Sequence, residues 1–261
     1  MSHYKVLVLT DKEIDEDTLY DLLAPYDENL EVPEYVSKTK KELAEYYKDF
    51  LQSWYEECLK NDDSKIKVQA NEIKKKLDSF TDDDSIIKMY KEDYPDDRFD
   101  EDDNLLSTYN PNSKYDWYDI GGRFSDSFRL KDGSTADQAY AKDIDFEIDS
   151  KEYREHLRWW ELAIEEQESK DGEEAPFVFY RKEYYLERYK DKETYANIMS
   201  RPTFYAVVTK DGWYSKGDMG WFCASSETAE ESLDWDLNFF ERYIQPAIDN
   251  NDYLTVVDCH I

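Results

Sequence analysis

The chain has 261 residues, with 63 acidic against 33 basic side chains, a formal net charge of −30, and 16% aromatic residues. High net charge with few large apolar groups reads as disorder, because burial cannot offset conformational entropy; here 23 Tyr, 12 Phe and 7 Trp supply that surface, so a folded body with a negative exterior is predicted. Such an exterior excludes direct binding to nucleic acid or an anionic membrane, and it favours basic protein surfaces within about 8 Å, one Debye length at physiological salt. Cys58, Cys223 and Cys259 form no C-x-x-C pair, which argues against a zinc ribbon or a disulfide framework and suits a reducing cytosol. No run nears the roughly 18 apolar residues that span a bilayer, and Met1–Thr10 lacks a basic leader and a cleavage site, so a soluble, unexported protein is expected.

In chain order, Tyr4–Leu9 (YKVLVL) reads as a buried strand. Thr39 and Glu42 have capping-box spacing ahead of a helix to Lys60, with Leu43, Tyr47, Phe50, Leu51, Trp54 and Cys58 on its core face. Asn110-Pro-Asn marks a turn, Lys114–Ile120 a strand, Gly121-Gly122 a bulge, and Phe124–Leu130 the return of a bent hairpin over 110–135. Ser150–Ser169 reads as a helix on Tyr153, Leu157, Trp160 and Ile164; Ser169–Pro176 is a loop, and Phe177–Tyr195 is helix or rim. Phe204–Thr209 and Trp213–Cys223 form a hairpin about Asp211-Gly212. Thr228 and Glu231 then cap a helix carrying Leu233, Leu237, Phe240, Ile244 and Ile248, and Tyr253–Val257 closes the chain as a strand. This order predicts one α+β domain over 1–261. Its sheet is antiparallel and ferredoxin-like (split β-α-β) with packed helices, carrying a helical, acidic insertion at about 37–104 and a hairpin-helix-strand module at 203–261.

Three groups of residues are candidates for function. Asp82–Asp103 holds eleven acidic residues against Lys88, Lys91 and Arg98, a local balance of −8. It reads as a solvated, mobile insertion or as a phosphate-like string in which Asp82, Asp83, Asp84, Asp93, Asp96, Asp97, Asp100, Glu101, Asp102 and Asp103 face a basic partner. The second group is Lys114, Asp116, Trp117, Tyr118, Gly121, Gly122 and Arg123. Its aromatics either fill the core or stand beside an anion site made by two cations and the Gly-Gly amides. The third is His3 with His260. First and last strands pairing in the sheet would bring both near Asp258 and Cys259, as hydrogen-bonded strand ends or as part of a metal site. His156 reads as structural, and no cofactor is indicated.

The blocks Met1-Ser2-His3-Tyr4 with Val6–Val8, Leu23-Ala24-Pro25, Asn110–Phe124 (NPNSKYDWYDIGGRF), Lys216–Phe222 (KGDMGWF) and Val257–Ile261 (VDCHI) touch both ends and the middle of the chain. In these the chain resembles a group of phage and prophage proteins, departing from their pattern at Tyr115 and Phe124, where that group has Trp. The resemblance implies a phage setting and carries no activity with it. With the charge, it leads to the expectation of a non-catalytic inhibitor acting in the host cytoplasm. Its negative surface would engage a basic, nucleic-acid-binding host protein or complex, through nucleic-acid mimicry or direct binding. The alternative is a nucleotide- or metal-binding protein or enzyme using the Lys114–Arg123 element.

Overall fold

Alternation of Tyr4, Val6 and Val8 against Lys5, Leu7 and Leu9 builds the first strand, β1 (His3–Thr10), and Asp15 caps the helix α1 (Glu16–Leu23) by accepting from the Thr18 amide. The computed structural model describes residues 2–61, 63–170, 172–174, 176–220, 222 and 224–261, so Cys223 of the cysteine analysis and Trp221 of the KGDMGWF block lie outside the described residues. It is a mixed α+β chain that divides into two compact units, 31–110 on one side and 1–30 with 111–261 on the other.

The 31–110 unit places β2 (Tyr35–Lys38) ahead of three helices, α2 (Lys40–Leu59), α3 (Ser64–Asp78) and α4 (Asp83–Asp93). Two short strands follow, β3 (Arg98–Phe99) and β4 (Leu105–Ser107), in a sheet of order β2-β4-β3. The Thr39–Glu42 capping box is present. Leu43, Tyr47 and Leu51 are buried against Ile73, Ile87 and Tyr90, whereas Phe50 and Trp54, expected on that face, are 41% and 44% exposed. Phe50 sits one residue before the buried Leu51 and Trp54 one before the half-buried Tyr55, and one position is 100° of helix, which turns Phe50 and Trp54 outward. The acidic run is folded: it forms α4, β3 and the turn into β4.

The chain returns through β5 (Trp117–Ile120), β6 (Phe128–Arg129), β7 (Thr135–Ala136) and β8 (Gln138–Tyr140). The helices α5 (Ser150–Ala163), α6 (Lys182–Tyr189) and α7 (Lys192–Met199) come next. Trp160 and Ile164 pack there with Tyr185, Tyr189 and Tyr195. Last come β9 (Ala206–Thr209), β10 (Gly212–Ser215), α8 (Ala229–Phe239), a π-helical turn over Phe240–Ile244, α9 (Gln245–Asn250) and β11 (Tyr253–His260). The main sheet has order β10-β9-β1-β11-β5, with β8 also on β11. The two ends of the chain are its centre: β1 and β11 pair antiparallel from His3 opposite His260 to Thr10 opposite Tyr253.

Three expectations are corrected. β10 and β11 run the same way and are joined through α8, but both β9 and β1 lie between them, where a ferredoxin-like split crossover straddles one strand. The cause is the two-residue turn that pairs Gly212 with Thr209: β1 already covers one edge of β9, so β10 takes the outer edge. The 110–135 hairpin does not form, because β5 pairs with β11 while β6 pairs with β7. In α8 the buried stripe is Trp235 and Phe239, and Leu237 is 47% exposed. The Trp235 indole donates to the Phe204 carbonyl at 2.9 Å, and the π-turn adds a residue that brings Ile244 and Ala247 inward.

Both faces of the sheet are covered. Leu7, Leu254 and Val256 pack with Phe128, Phe204, Trp235 and Phe239, and on the opposite face Val6, Val8, Val257 and Cys259 pack with Leu19, Leu23 and Tyr115.

Candidate functional site

Pairing of β1 with β11 places His3, Lys5, Asp258 and His260 on the face shared with Leu7 and Val256, at the end of the sheet where β5 joins. His3 Nδ1 lies 2.9 and 3.1 Å from the two oxygens of Asp258. His260 Nδ1 lies 2.6 Å from Asp116. The Trp117 indole stacks on His260 with ring centres 5.0 Å and planes 17° apart, and His3 meets both rings edge-on. Each imidazole is thus aligned at Nδ1 by a carboxylate, an arrangement that fixes ring orientation. Cys259, grouped with the histidines by position, points into the opposite core, where burial pushes its thiol up. Among the described residues no three His, Cys, Asp or Glu groups are placed to hold a metal ion, so the two imidazoles stand as a pair.

Gly121 and Gly122, at φ of +69° and +50°, turn the chain tightly after β5. A Cβ at Gly122 would come within 2.6 Å of Asp258, and one at Gly121 within 2.2 Å of an Asp137 oxygen. The Arg123 amide donates to Asp258 at 2.9 Å. The anion that the Gly-Gly-Arg turn was expected to take from solution is therefore supplied by the chain itself.

The other residues of that element separate. Lys114 pairs with Asp218 at 2.6 Å, linking the NPNSKYDWY and KGDMGWF blocks, while its carbonyl accepts from the Tyr4 hydroxyl. Tyr115 is buried, Tyr118 is half-buried beside it at an edge-on 5.7 Å, and Trp117 is 45% exposed, against the core role that was one of its two expected readings. β5 presents alternate faces, and Trp117 falls on the His260 side at the sheet's rim. The Arg123 guanidinium is exposed and makes no ion pair among the described residues. His156 faces Tyr195 edge-on and Glu152 at 3.9 Å, as a structural residue would.

In the acidic run, structure consumes about half of the carboxylates. Asp82 caps α4 in a capping box with Ser85, and Asp84 pairs with Lys40. Asp93 takes Lys76 at 2.6 Å and the Tyr47 hydroxyl; burial pushes its carboxyl up, and these two donors more than offset that and hold it below the usual range. The Tyr90 hydroxyl donates to Asp97 at 2.7 Å. Asp100 accepts from Asn104 and from the Asp102 amide, and Asp103 takes Lys91 at 2.6 Å and Lys40 at 3.1 Å. Asp83, Asp96, Glu101 and Asp102 remain exposed and outside these bonds.

A second acidic surface was missed. Asp11, Glu13, Glu16, Asp17 and Asp21 stand exposed around the start of α1, with no ion pair among the described residues. The signal was present as six acids against Lys12 between positions 11 and 21. The charge is indeed shared: the 31–110 unit holds 22 acidic and 13 basic side chains, the remainder 41 and 20.

Comparison with known proteins found no matching family, curated protein or solved structure. No helix among the described residues is long and apolar enough to cross a membrane.

Proposed function

We propose that this chain is a phage-encoded, non-catalytic inhibitor that acts in the host cytoplasm by presenting carboxylates to a basic, nucleic-acid-handling host protein or complex. One observation carries the reading. The bonds made by Asp82, Asp93, Asp97, Asp100 and Asp103 hold the free Asp83, Asp96, Glu101 and Asp102 on a folded α4–β3–β4 frame. Carboxylates at fixed positions can match a basic groove in spacing as well as in sign, which raises the encounter rate and selects the partner. The test is binding to the host complex that the chain recovers from lysate. Binding should fall at least about tenfold between roughly 50 and 500 mM salt, duplex DNA should compete, and D83N/D96N/E101Q/D102N should weaken it while folding normally. Binding indifferent to both salt and the fourfold variant would end the proposal.

A second reading is supported by the Trp117 indole lying half-open over the Asp-held His260. An aromatic face beside an oriented imidazole suits a nucleotide base. A nucleotide library should then raise the melting temperature of the wild type and leave Trp117→Ala unmoved; no shift in the wild type removes the reading.

A further inference from the structure

In a chain with nearly twice as many acids as bases, a cation drawn out of solvent without a carboxylate partner is the exception. Two occur at one place. Lys5 lies opposite Asp258 in the β1–β11 register, yet Asp258 is engaged by His3 and the Arg123 amide, and Lys5 makes no ion pair among the described residues. Its ammonium instead lies 4.6 Å above the Phe204 ring. The Arg201 guanidinium lies 4.5 Å above the Phe240 ring, and its Nε is buried with no hydrogen-bond partner. Ser200 Oγ is buried and without a partner as well. All three residues line one cleft of about 250 Å³ beside Phe128 and Met199.

The cleft's carboxylates do not neutralise these groups. Asp145 and Asp149 are turned to Arg129, at 2.9 and 3.9 Å, and Glu147 and Glu152 are exposed at the margin. Burial lowers the proton affinity of Lys5, and only the field of Asp137 opposes it. A desolvated cation in an apolar setting is costly unless something pairs with it, and replacing it by an apolar side chain of similar volume commonly stabilises a protein. A residue kept against that cost is a candidate for function.

We infer that this cleft binds a small anion, a carboxylate or phosphate group seated between Lys5 and Arg201. The site is independent of the acidic surface and of the proposed host partner. A group with several acceptor oxygens meets the donor-only character of the two cations.

The experiment is calorimetric titration of the full chain with inorganic phosphate and with succinate, paired with thermal melts, on the wild type, Lys5→Met and Arg201→Gln. Saturable binding of either probe by the wild type is expected, weakened at least about tenfold in both variants. Lys5→Met should melt about 2–4 °C higher, because it removes the desolvated charge. Absence of saturable binding below about 10 mM of either probe overturns the inference. So does a Lys5→Met protein that folds and binds as tightly as the wild type. Arg201, on a different element, provides the independent check if Lys5→Met does not fold.

Discussion

The carboxylates of Asp82–Asp103 and those that hold His3 and His260 make opposite use of the same chemistry. The first are dense in sequence, and half of them are spent on caps, turns and lysine pairs. The second, Asp116 and Asp258, are 142 positions apart in the chain, yet they hold neighbouring imidazoles whose ring centres are 4.9 Å apart. Density of charge along a sequence and availability of charge on a surface are therefore separate quantities. A cluster of like charges folds only by finding partners for its members, while isolated carboxylates delivered by a sheet can be buried and made specific.

Substitutions can test how far that contrast goes. The largest effect is expected at Gly122→Val, where a positive φ and a contact of 2.6 Å to Asp258 combine; a loss of about 3 kcal/mol or more in urea unfolding follows, and a near-neutral variant would mean the turn does not depend on Asp258. Asp258→Ala strips partners from His3 and the Arg123 amide and should cost about 2–3 kcal/mol, with strong non-additivity when combined with His3→Gln. Additive losses would show that these are separate contacts.

Within the acidic run, Asp93→Asn should cost about 1 kcal/mol, because Tyr47 and Lys76 lose a charged acceptor. Its lowered carboxyl affinity for protons gives the sign of the pH effect. The contribution is whole above the ordinary carboxyl value near 4 and disappears as pH falls below it toward the depressed folded value, so Asn at 93 should flatten the acid limb of the stability curve. Glu173 behaves alike elsewhere, held down to about 2 by Arg158; Glu173→Gln should flatten the curve between about pH 4 and 2. The smallest effects belong to Asp83→Asn and Asp96→Asn, within about 0.5 kcal/mol, since neither carboxylate bonds to the frame. A large loss at either would class it with the structural acids.

Local signals were legible and long-range ones less so. Thr39 with Glu42 and Thr228 with Glu231 make the capping boxes their spacing predicts. The hairpin after Phe204 forms, though its turn is Lys210-Asp211 and its return strand ends at Ser215, and β1 lies against β11. Choosing the buried face of a helix failed at Phe50 and Trp54 of α2 and at Leu237 of α8, because composition does not say which face meets a core. The pairing of β5 was missed since Gly121-Gly122 reads equally as a hairpin bulge and as a turn around a carboxylate. Lys5 inside YKVLVL was itself a signal: a lysine in an otherwise apolar central strand must either reach solvent or line a cleft.

From residue order alone came the class of the molecule: aromatic mass enough to fold despite 30 surplus negative charges, helices where caps precede apolar periodicity, and strands at the two chain ends. These depend on interactions within about four residues or on bulk composition, both of which are local properties of the chain. Tertiary structure alone decided which carboxylates are free, which fill a turn and which orient an imidazole. Those outcomes depend on contacts between segments as distant as Asp116 and His260, and no spacing rule extends across 144 positions.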